Sequence, residues 1–279
     1  MTDQIRPEIA RTITLEGVAT NYHDVGQGDT VLLIHGSGPG VTAWANWRLT
    51  MDALAARFRI VAPDMLGFGY TDAVEGGIRD KQVWVDHLVE LLDALELERV
   101  SVVGNSFGGA IAIAFAVAHP ERVHRLALMG AVGTSFPITP GLDFVWGYTP
   151  SLENMRTTLG YLSAHPERLS EDLIRSRFEA SDRPGAQAPY QATFGPGPRQ
   201  QHIEMLASAD EEITGIRHET MLLHGVLDQV IPVDVSYRLH QLIPNADLHV
   251  FNGCGHWVQI ERATTFNNIL SGFLADGLA

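Results

Sequence analysis

Short, largely apolar runs alternate with amphipathic ones over the first half of the chain. Thr30–Ile34, Phe58–Ala62, Val100–Val103 and Val123–Met129 have strand length, and their apolar residues follow one another instead of alternating with polar ones. That pattern predicts strands buried on both faces. Thr12–Leu15 and Thr20–Val25, divided by Glu16-Gly17, predict a hairpin at a sheet edge. Between these runs the period changes. A helix is predicted from Ala43 to Arg57. In a second helix Leu88, Leu91, Leu92 and Leu95 recur at i, i+3, i+4 and i+7, with Asp86, Glu90 and Asp93 on the other face and Asp80 as the cap. Ala110 to Ala118 is apolar on every side, which predicts a core helix. Strands and helices alternating in this way build a mostly parallel sheet with helices on both faces.

The rhythm stops near Phe136. From there to Ser208 no strand pattern is visible, and helical stretches, charges and breakers such as Phe194-Gly-Pro-Gly-Pro-Arg199 take over. Strands resume at Glu219–His224 and Asp247–Phe251, with a helix from Val233 to Leu242 between them. A closing helix places Phe266, Ile269, Leu270, Phe273 and Leu274 on one stripe. The expected organisation is an eight-stranded α/β core in two parts, 1–135 and 209–279, with a helical cap at 136–208 over the C-terminal edge of the sheet.

Composition narrows the partners. Nineteen basic against 33 acidic residues leave a net charge of −14, which argues against nucleic acid or an anionic membrane as a partner. The longest apolar run is too short to span a bilayer, and Met1-Thr-Asp-Gln-Ile-Arg-Pro7 lacks the features of a signal peptide. With a single cysteine, Cys254, no internal disulfide can form. A cytoplasmic protein is expected.

The chemistry concentrates where the strand Val100–Val103 meets the apolar helix. Gly104-Asn105-Ser106-Phe107-Gly108 is a G-x-S-x-G turn with a strand before it and a helix after it. This is the context of a nucleophile elbow, in which the serine sits on a strained corner above the sheet. A serine hydroxyl needs a base to take its proton and a third group to orient that base. Asp228, in His224-Gly-Val-Leu-Asp228, and His256, in Gly253-Cys-Gly-His-Trp257, follow the last two strands in the required order. Alone, Asp228 reads equally as a turn aspartate and His256 as a structural histidine; their joint placement makes them orienter and general base. Gly130-Ala-Val-Gly-Thr134, after the preceding strand, contains no competing carboxylate. An oxyanion formed at Ser106 would find the N–H of Phe107 at the start of the helix, and a second N–H in the loop His35-Gly-Ser-Gly-Pro-Gly40. That loop lacks the spacing of a phosphate-binding G-x-G-x-x-G, no Gly-Lys-Ser/Thr follows, and no metal motif is present. No cofactor is expected.

At this level of detail the chain resembles the meta-cleavage product hydrolases, α/β-hydrolases that cut a carbon–carbon bond in ring-fission products of aromatic catabolism. The likeness runs over almost the whole chain and is carried by His35-Gly-Ser-Gly-Pro-Gly-Val-Thr-Ala-Trp-Ala-Asn-Trp-Arg48, Pro63-Asp-Met-Leu-Gly-Phe-Gly-Tyr70, Gly104-Asn-Ser-Phe-Gly-Gly109, Phe136-Pro-Ile-Thr-Pro-Gly-Leu142 and Cys254-Gly-His-Trp-Val-Gln-Ile-Glu261. The enzymes acting on 2-hydroxymuconic semialdehyde and its alkyl analogues are the most similar branch. The resemblance implies a small 2-hydroxy-6-oxo-dienoate substrate and a homo-oligomer. It implies Ser37 as the second oxyanion donor, Asn46, Asn105 and the cap arginine Arg183 near the carboxylate-enol end, and Trp257 beside the histidine. In the resembled family polar or aromatic residues also occur at the positions of Val226 and Leu227, so the apolar end of this pocket is expected to differ. A carboxylesterase and a non-catalytic ligand receptor on the same fold are the competing readings.

Overall fold

The computed structural model describes residues 6–195 and 197–278. The start Met1–Ile5, read for a leader, and Pro196 of the predicted breaker lie outside the described residues. The eight strands are β1 (Arg11–Leu15), β2 (Val18–Val25), β3 (Thr30–Ile34), β4 (Arg59–Pro63), β5 (Val100–Asn105), β6 (Val123–Met129), β7 (Thr220–Gly225) and β8 (Ala246–Phe251). They form one sheet in the order β1-β2-β4-β3-β5-β6-β7-β8. β2 pairs antiparallel with β1 and β4, and every other pairing is parallel.

The predicted two-sided burial is visible in β3. Leu32 and Ile34 face one apolar cluster, with Leu88, Leu91 and Leu92 of α2 (Gln82–Ala94) and Phe115 of α3 (Phe107–Ala118). Val31 and Leu33 face the other, with Trp47 and Leu54 of α1 (Ala43–Ala55). The period-two alternation of side chains thus sends neighbouring residues into opposite layers. Between β6 and β7 lie α4 (Pro140–Trp146), α5 (Leu152–Leu162), α6 (Glu171–Asp182), α7 (Gln187–Phe194), α8 (Gln200–Leu206) and α9 (Asp210–Thr214). After β7 come α10 (Val233–Leu242), α11 (Val258–Glu261) and α12 (Ala263–Asp276), whose Phe266 and Leu270 complete the second cluster.

Two boundaries differ from the sequence reading. Asp80 is not the N-cap of α2: Lys81 holds that position with helical dihedrals, and the Asp80 carboxylate accepts from Gln82 N–H at 2.9 Å from one residue further back. α1 ends at Ala55 because the N–H groups of Arg57 and Phe58 both turn back to Leu54 O, at 2.9 and 3.0 Å, and aim the chain into β4.

A buried carboxylate ties β2, the start of α1 and the loop after β4 together. Asp64, fully buried after β4, accepts from Ala43 N–H at the start of α1 (2.6 Å), Tyr70 N–H (2.8 Å) and Asn21 Nδ2 (2.9 Å). Burial nevertheless raises its carboxyl to about 6. Burial acts oppositely on two imidazoles, lowering His35 and His87 to about 4. As pH falls from 6.5, the unfolded chain takes up imidazole protons that the folded chain refuses, so stability is lost between 6.5 and about 4, with His23 and His124, also lowered by burial, adding in the same direction. Asp64 works against that loss, since the folded chain binds its proton first. The lowered imidazoles outnumber the single raised carboxyl, so a net loss of stability is expected over this window. Urea unfolding across it should show a falling midpoint, and His87→Phe should make the fall shallower.

Candidate active site

Ser106 stands between β5 and α3 with φ 56° and ψ −114°, a left-handed conformation that costs free energy in any residue but glycine. Its backbone is held on both sides. The N–H donates to Met129 O at 2.8 Å, and the carbonyl accepts from Gly109, Val132 and Ala110 at 3.0, 3.1 and 3.3 Å. The helix can start this close to the sheet only where side chains are missing. A Cβ on Gly104 would lie 2.3 Å from Gly108 O, and one on Gly108 would lie 2.3 Å from Ile34 O. Phe107, as the first residue of α3, has an N–H with no acceptor one turn earlier in the helix.

The loop after β3 brings Ser37 to the same place. His35 is buried there and neutral: Nε2 accepts from Met65 N–H at 2.9 Å, which leaves the proton on Nδ1 to donate to Gly36 O at 2.6 Å. The indole N–H of Trp146, in α4, donates to Ser37 Oγ at 2.9 Å.

Asp228 follows β7 and is 1% exposed at its side chain. Its Oδ1 accepts from Val230 and Ile231 N–H at 2.7 and 2.9 Å, and its Oδ2 faces His256 Nδ1 at 2.7 Å. Burial disfavours the carboxylate, but the charge of His256 and the hydrogen bonds from His224 and His256 outweigh it, and the acid is held well below the usual carboxylate range. His256 is buried on the loop between β8 and α11, and it shares one cavity with Ser106. The structure therefore brings Ser106, Asp228 and His256 to one edge of the sheet, as the chain order implied.

That cavity also receives Ser37, Asn46, Asn105 and Trp257, but not Arg183. Arg183 is the residue that closes α6, and its extended dihedrals turn the side chain away, over the ring of Tyr70 at 3.9 Å and onto Gly69 O. The cations that line the cavity are Arg177 and Arg48. Arg177 donates to Gly40 O at 2.6 Å and Arg48 to Ala45 O at 2.7 Å. These partners are neutral carbonyls, and neither guanidinium forms an ion pair within 4.0 Å among the described residues. Burial, followed by repulsion from Arg48, lowers Arg177 to about 10. Two partly buried cations that form no ion pair among the described residues, with Glu8 acting on Arg177 only through its longer-range field, make a site for an anion. Buried polar atoms near them are also unpartnered, Nδ2 of Asn46 and Oε1 of Gln259. The remaining wall is apolar, from Leu142 and Val145 of α4, Met155, Leu159 and Leu162 of α5, and Val230. Val226 and Leu227 are 40% and 48% exposed and do not line the cavity, so the expected difference at its apolar end does not arise from them.

Sequence reasoning missed Arg177, Arg48, Gln259 and Glu261. Arg177 had a signal: Ile174, Arg177 and Ser181 lie at i, i+3 and i+7 of α6, and Ile174 and Ser181 are its buried residues. Glu261 joins the cap to the histidine loop. Its Oε1 accepts from Ser163 Oγ (2.6 Å) and Ala164 N–H (2.8 Å), and its Oε2 accepts from Gly255 N–H (2.6 Å). Among the described residues no cluster of three or more His, Cys, Asp or Glu side chains could hold a metal ion, and no helix is long and apolar enough to cross a membrane.

A parallel sheet with a serine on a strained strand–helix corner, and with aspartate and histidine on later strand ends, defines the α/β hydrolases. The family model described as alpha/beta hydrolase fold matches residues 29–263. A 2-hydroxy-6-oxo-2,4-heptadienoate hydrolase of Pseudomonas putida is 52% identical over 271 residues, covering 97% of this chain and 98% of its own length. A 2-hydroxymuconate semialdehyde hydrolase of a Pseudomonas species is 51% identical over 273 residues, covering 98% and 96%. The solved structure of the meta-cleavage product hydrolase CumD from Pseudomonas fluorescens, a serine-to-alanine mutant complexed with acetates, superposes with a TM-score of 0.95 at 50% identity, covering 98% of this chain and 100% of that one. The chain belongs to the α/β-hydrolase fold family and, within it, to the meta-cleavage product hydrolases.

Glu261→Gln replaces one accepting oxygen by a donor, so an N–H of the cap or of Gly255 must face another N–H. A stability loss of about 1–3 kcal/mol is expected, read as a lower thermal midpoint, with activity reduced through the histidine loop.

Proposed function

We propose that this protein hydrolyses the carbon–carbon bond of a 2-hydroxy-6-oxo-hexa-2,4-dienoate, either 2-hydroxymuconic semialdehyde or an alkyl-substituted analogue, in the breakdown of aromatic compounds. The products are 2-hydroxypenta-2,4-dienoate and a short carboxylic acid. The observation that carries this reading is the pairing, in one cavity, of the Ser106–His256–Asp228 edge with two guanidiniums that have no carboxylate partner. An ester hydrolase needs the first but has no use for the second, whereas a dienoate presents a carboxylate at one end and a carbonyl at the other.

The bond can break only if its electron pair has an acceptor. The 2-hydroxyl proton is lost and a proton is added beside the 6-carbonyl, which gives the keto form and makes the leaving fragment a stabilised dienolate. Ser106 Oγ then adds to the 6-carbonyl as His256 takes its proton, with Asp228 orienting the imidazole. The N–H groups of Phe107 and Ser37 stabilise the oxyanion. As the carbon–carbon bond breaks, its electrons pass into the dienolate, and water releases the acid fragment. An acyl-enzyme and a gem-diol route use the same residues. Arg177 and Arg48 hold the substrate carboxylate, with Asn46 and Asn105 near the enol and Trp257 beside His256. Arg183, expected in this role from the resemblance, is assigned a structural one on Tyr70. Residues 136–208 act as the cap that closes the apolar end, between core segments 1–135 and 209–279. The reading extends to a cytoplasmic homo-oligomer, in keeping with its buried free Cys254.

One assay decides between the readings: purified protein is mixed with a yellow ring-fission product and, separately, with a nitrophenyl ester. Fast bleaching with weak ester turnover is expected. Ester turnover without bleaching would replace the reading with an esterase, and binding without turnover with a receptor. Ser106→Ala should lower bleaching by about a thousandfold or more while leaving binding intact. Arg177→Met should lower kcat/KM by about 10- to 100-fold, and Arg183→Met by less than about threefold. The reverse order would return the carboxylate contact to Arg183.

A further inference from the structure

Asp228 has two histidine neighbours, and the chemistry above uses only one. The other is His224, fully buried in β7. Its Nε2 lies 3.2 Å from Asp228 Oδ2 and 3.0 Å from Ile231 O, and its Nδ1 lies 2.7 Å from Ser236 Oγ. A carboxylate and a carbonyl oxygen can only accept, so Nε2 carries a proton, and Nδ1 is tied to the Ser236 hydroxyl, which can either donate or accept. The ring is thus fixed at both nitrogens, with its Nε2–H facing both the acid and the acid's own loop.

The consequence for Asp228 is geometric. Oδ1 is taken by the N–H groups of Val230 and Ile231, and Oδ2 receives both His224 and His256. Ile231 donates to the carboxylate and accepts from His224, so the loop 228–231 is closed onto β7 from both sides. With these bonds in place the carboxyl plane has no freedom to rotate, and Oδ2 stays aimed at His256 Nδ1. A second donor on the same oxygen also competes for its negative charge, which leaves the shared proton on the imidazole of His256. Hydrophobic filling explains none of this, because a leucine would fill the space without the cost of burying an imidazole.

We infer that His224, locked by Ser236, is a positioning residue that fixes the Asp228 carboxylate toward His256 and so sets the rate of the chemical steps. The inference rests on the reading of Ser106, His256 and Asp228 as the reacting triad.

The test compares His224→Leu, His224→Gln and Ser236→Ala with the native enzyme and Ser106→Ala, on the yellow ring-fission product. His224→Leu should lower kcat by about 10- to 100-fold with KM within about twofold, since the acid is misplaced but the pocket is not. His224→Gln, which can still donate from a similar distance, should recover about half of that loss on a logarithmic scale. Ser236→Ala keeps the ring but removes the partner of its Nδ1 and should lower kcat by about threefold or more. In the far-downfield proton spectrum, the resonance of His256 Nδ1–H should move or broaden in His224→Leu and Ser236→Ala, and stay in place in Ser106→Ala. The inference is overturned if His224→Leu keeps native kcat, or if its loss is not rescued by glutamine and the downfield proton does not move. Where His224→Leu fails to fold, Ser236→Ala decides: native kcat with an unmoved resonance overturns it. Full turnover by Ser106→Ala would instead sink the triad reading itself.

Discussion

The site depends on how closely α3 approaches the sheet. Helix and strands touch backbone to backbone at Gly104 and Gly108, and this forces Ser106 into a conformation that no isolated serine would hold. The strain is sustained by the backbone bonds of Ser106 to β6 and to the segment after it. Its effect is to lift the hydroxyl clear of the sheet and point the first N–H of a buried helix at the same space. The parallel β5, β6, β7 and β8 then deliver everything that follows them to the same edge, including the loops of Asp228 and His256. Pairing direction, more than any side-chain contact, is why residues more than a hundred positions apart share a cavity.

Two buried carboxylates divide the remaining work. Asp64 binds only neutral N–H donors, and burial dominates, so its carboxyl is raised. Asp228 is as deeply buried but faces two imidazoles, and its carboxyl is lowered. The same residue type at two ends of one sheet edge therefore serves opposite purposes: the first fastens α1 to the loop after β4, and the second stays ionised for the histidine beside it. The guanidiniums of Arg177 and Arg48 form the complement, positive charge kept partly dry and hydrogen-bonded to carbonyls, not to carboxylates.

Much of this was legible in the chain. The eight strands follow from apolar runs and an edge hairpin, and the meeting of Ser106, Asp228 and His256 at one sheet edge from residue type combined with chain order. What could not be read was direction at the ends of elements. Arg177 and Arg183 both belong to the same helical stretch, and only the rotation of α6 decides which one enters the cavity. Motif likeness favoured Arg183, but the helix stops at Asp182, and Arg183, just past its end, swings outward. Val226 and Leu227 failed for a similar reason, since proximity to Asp228 in sequence does not set which side of the loop they face. His224 was visible as the last residue of the predicted strand, yet its role depends on Ser236 twelve residues on, at a distance that only the packing of α10 against β7 closes.

The carboxylate of Glu261 belongs to neither the cap nor the triad, yet both hang from it. The backbone of Gly255 passes so near Ala164 that even a methyl group would collide there, 2.6 Å from the nitrogen. Cap and histidine loop have therefore been shaped against one another and are not interchangeable parts. Anyone grafting the cap of a relative onto this core to change the accepted substrate would have to carry the 254–261 segment along with it. The seam along which the fold can be recombined runs through the end of α11, not through the two points where the cap enters and leaves the sheet.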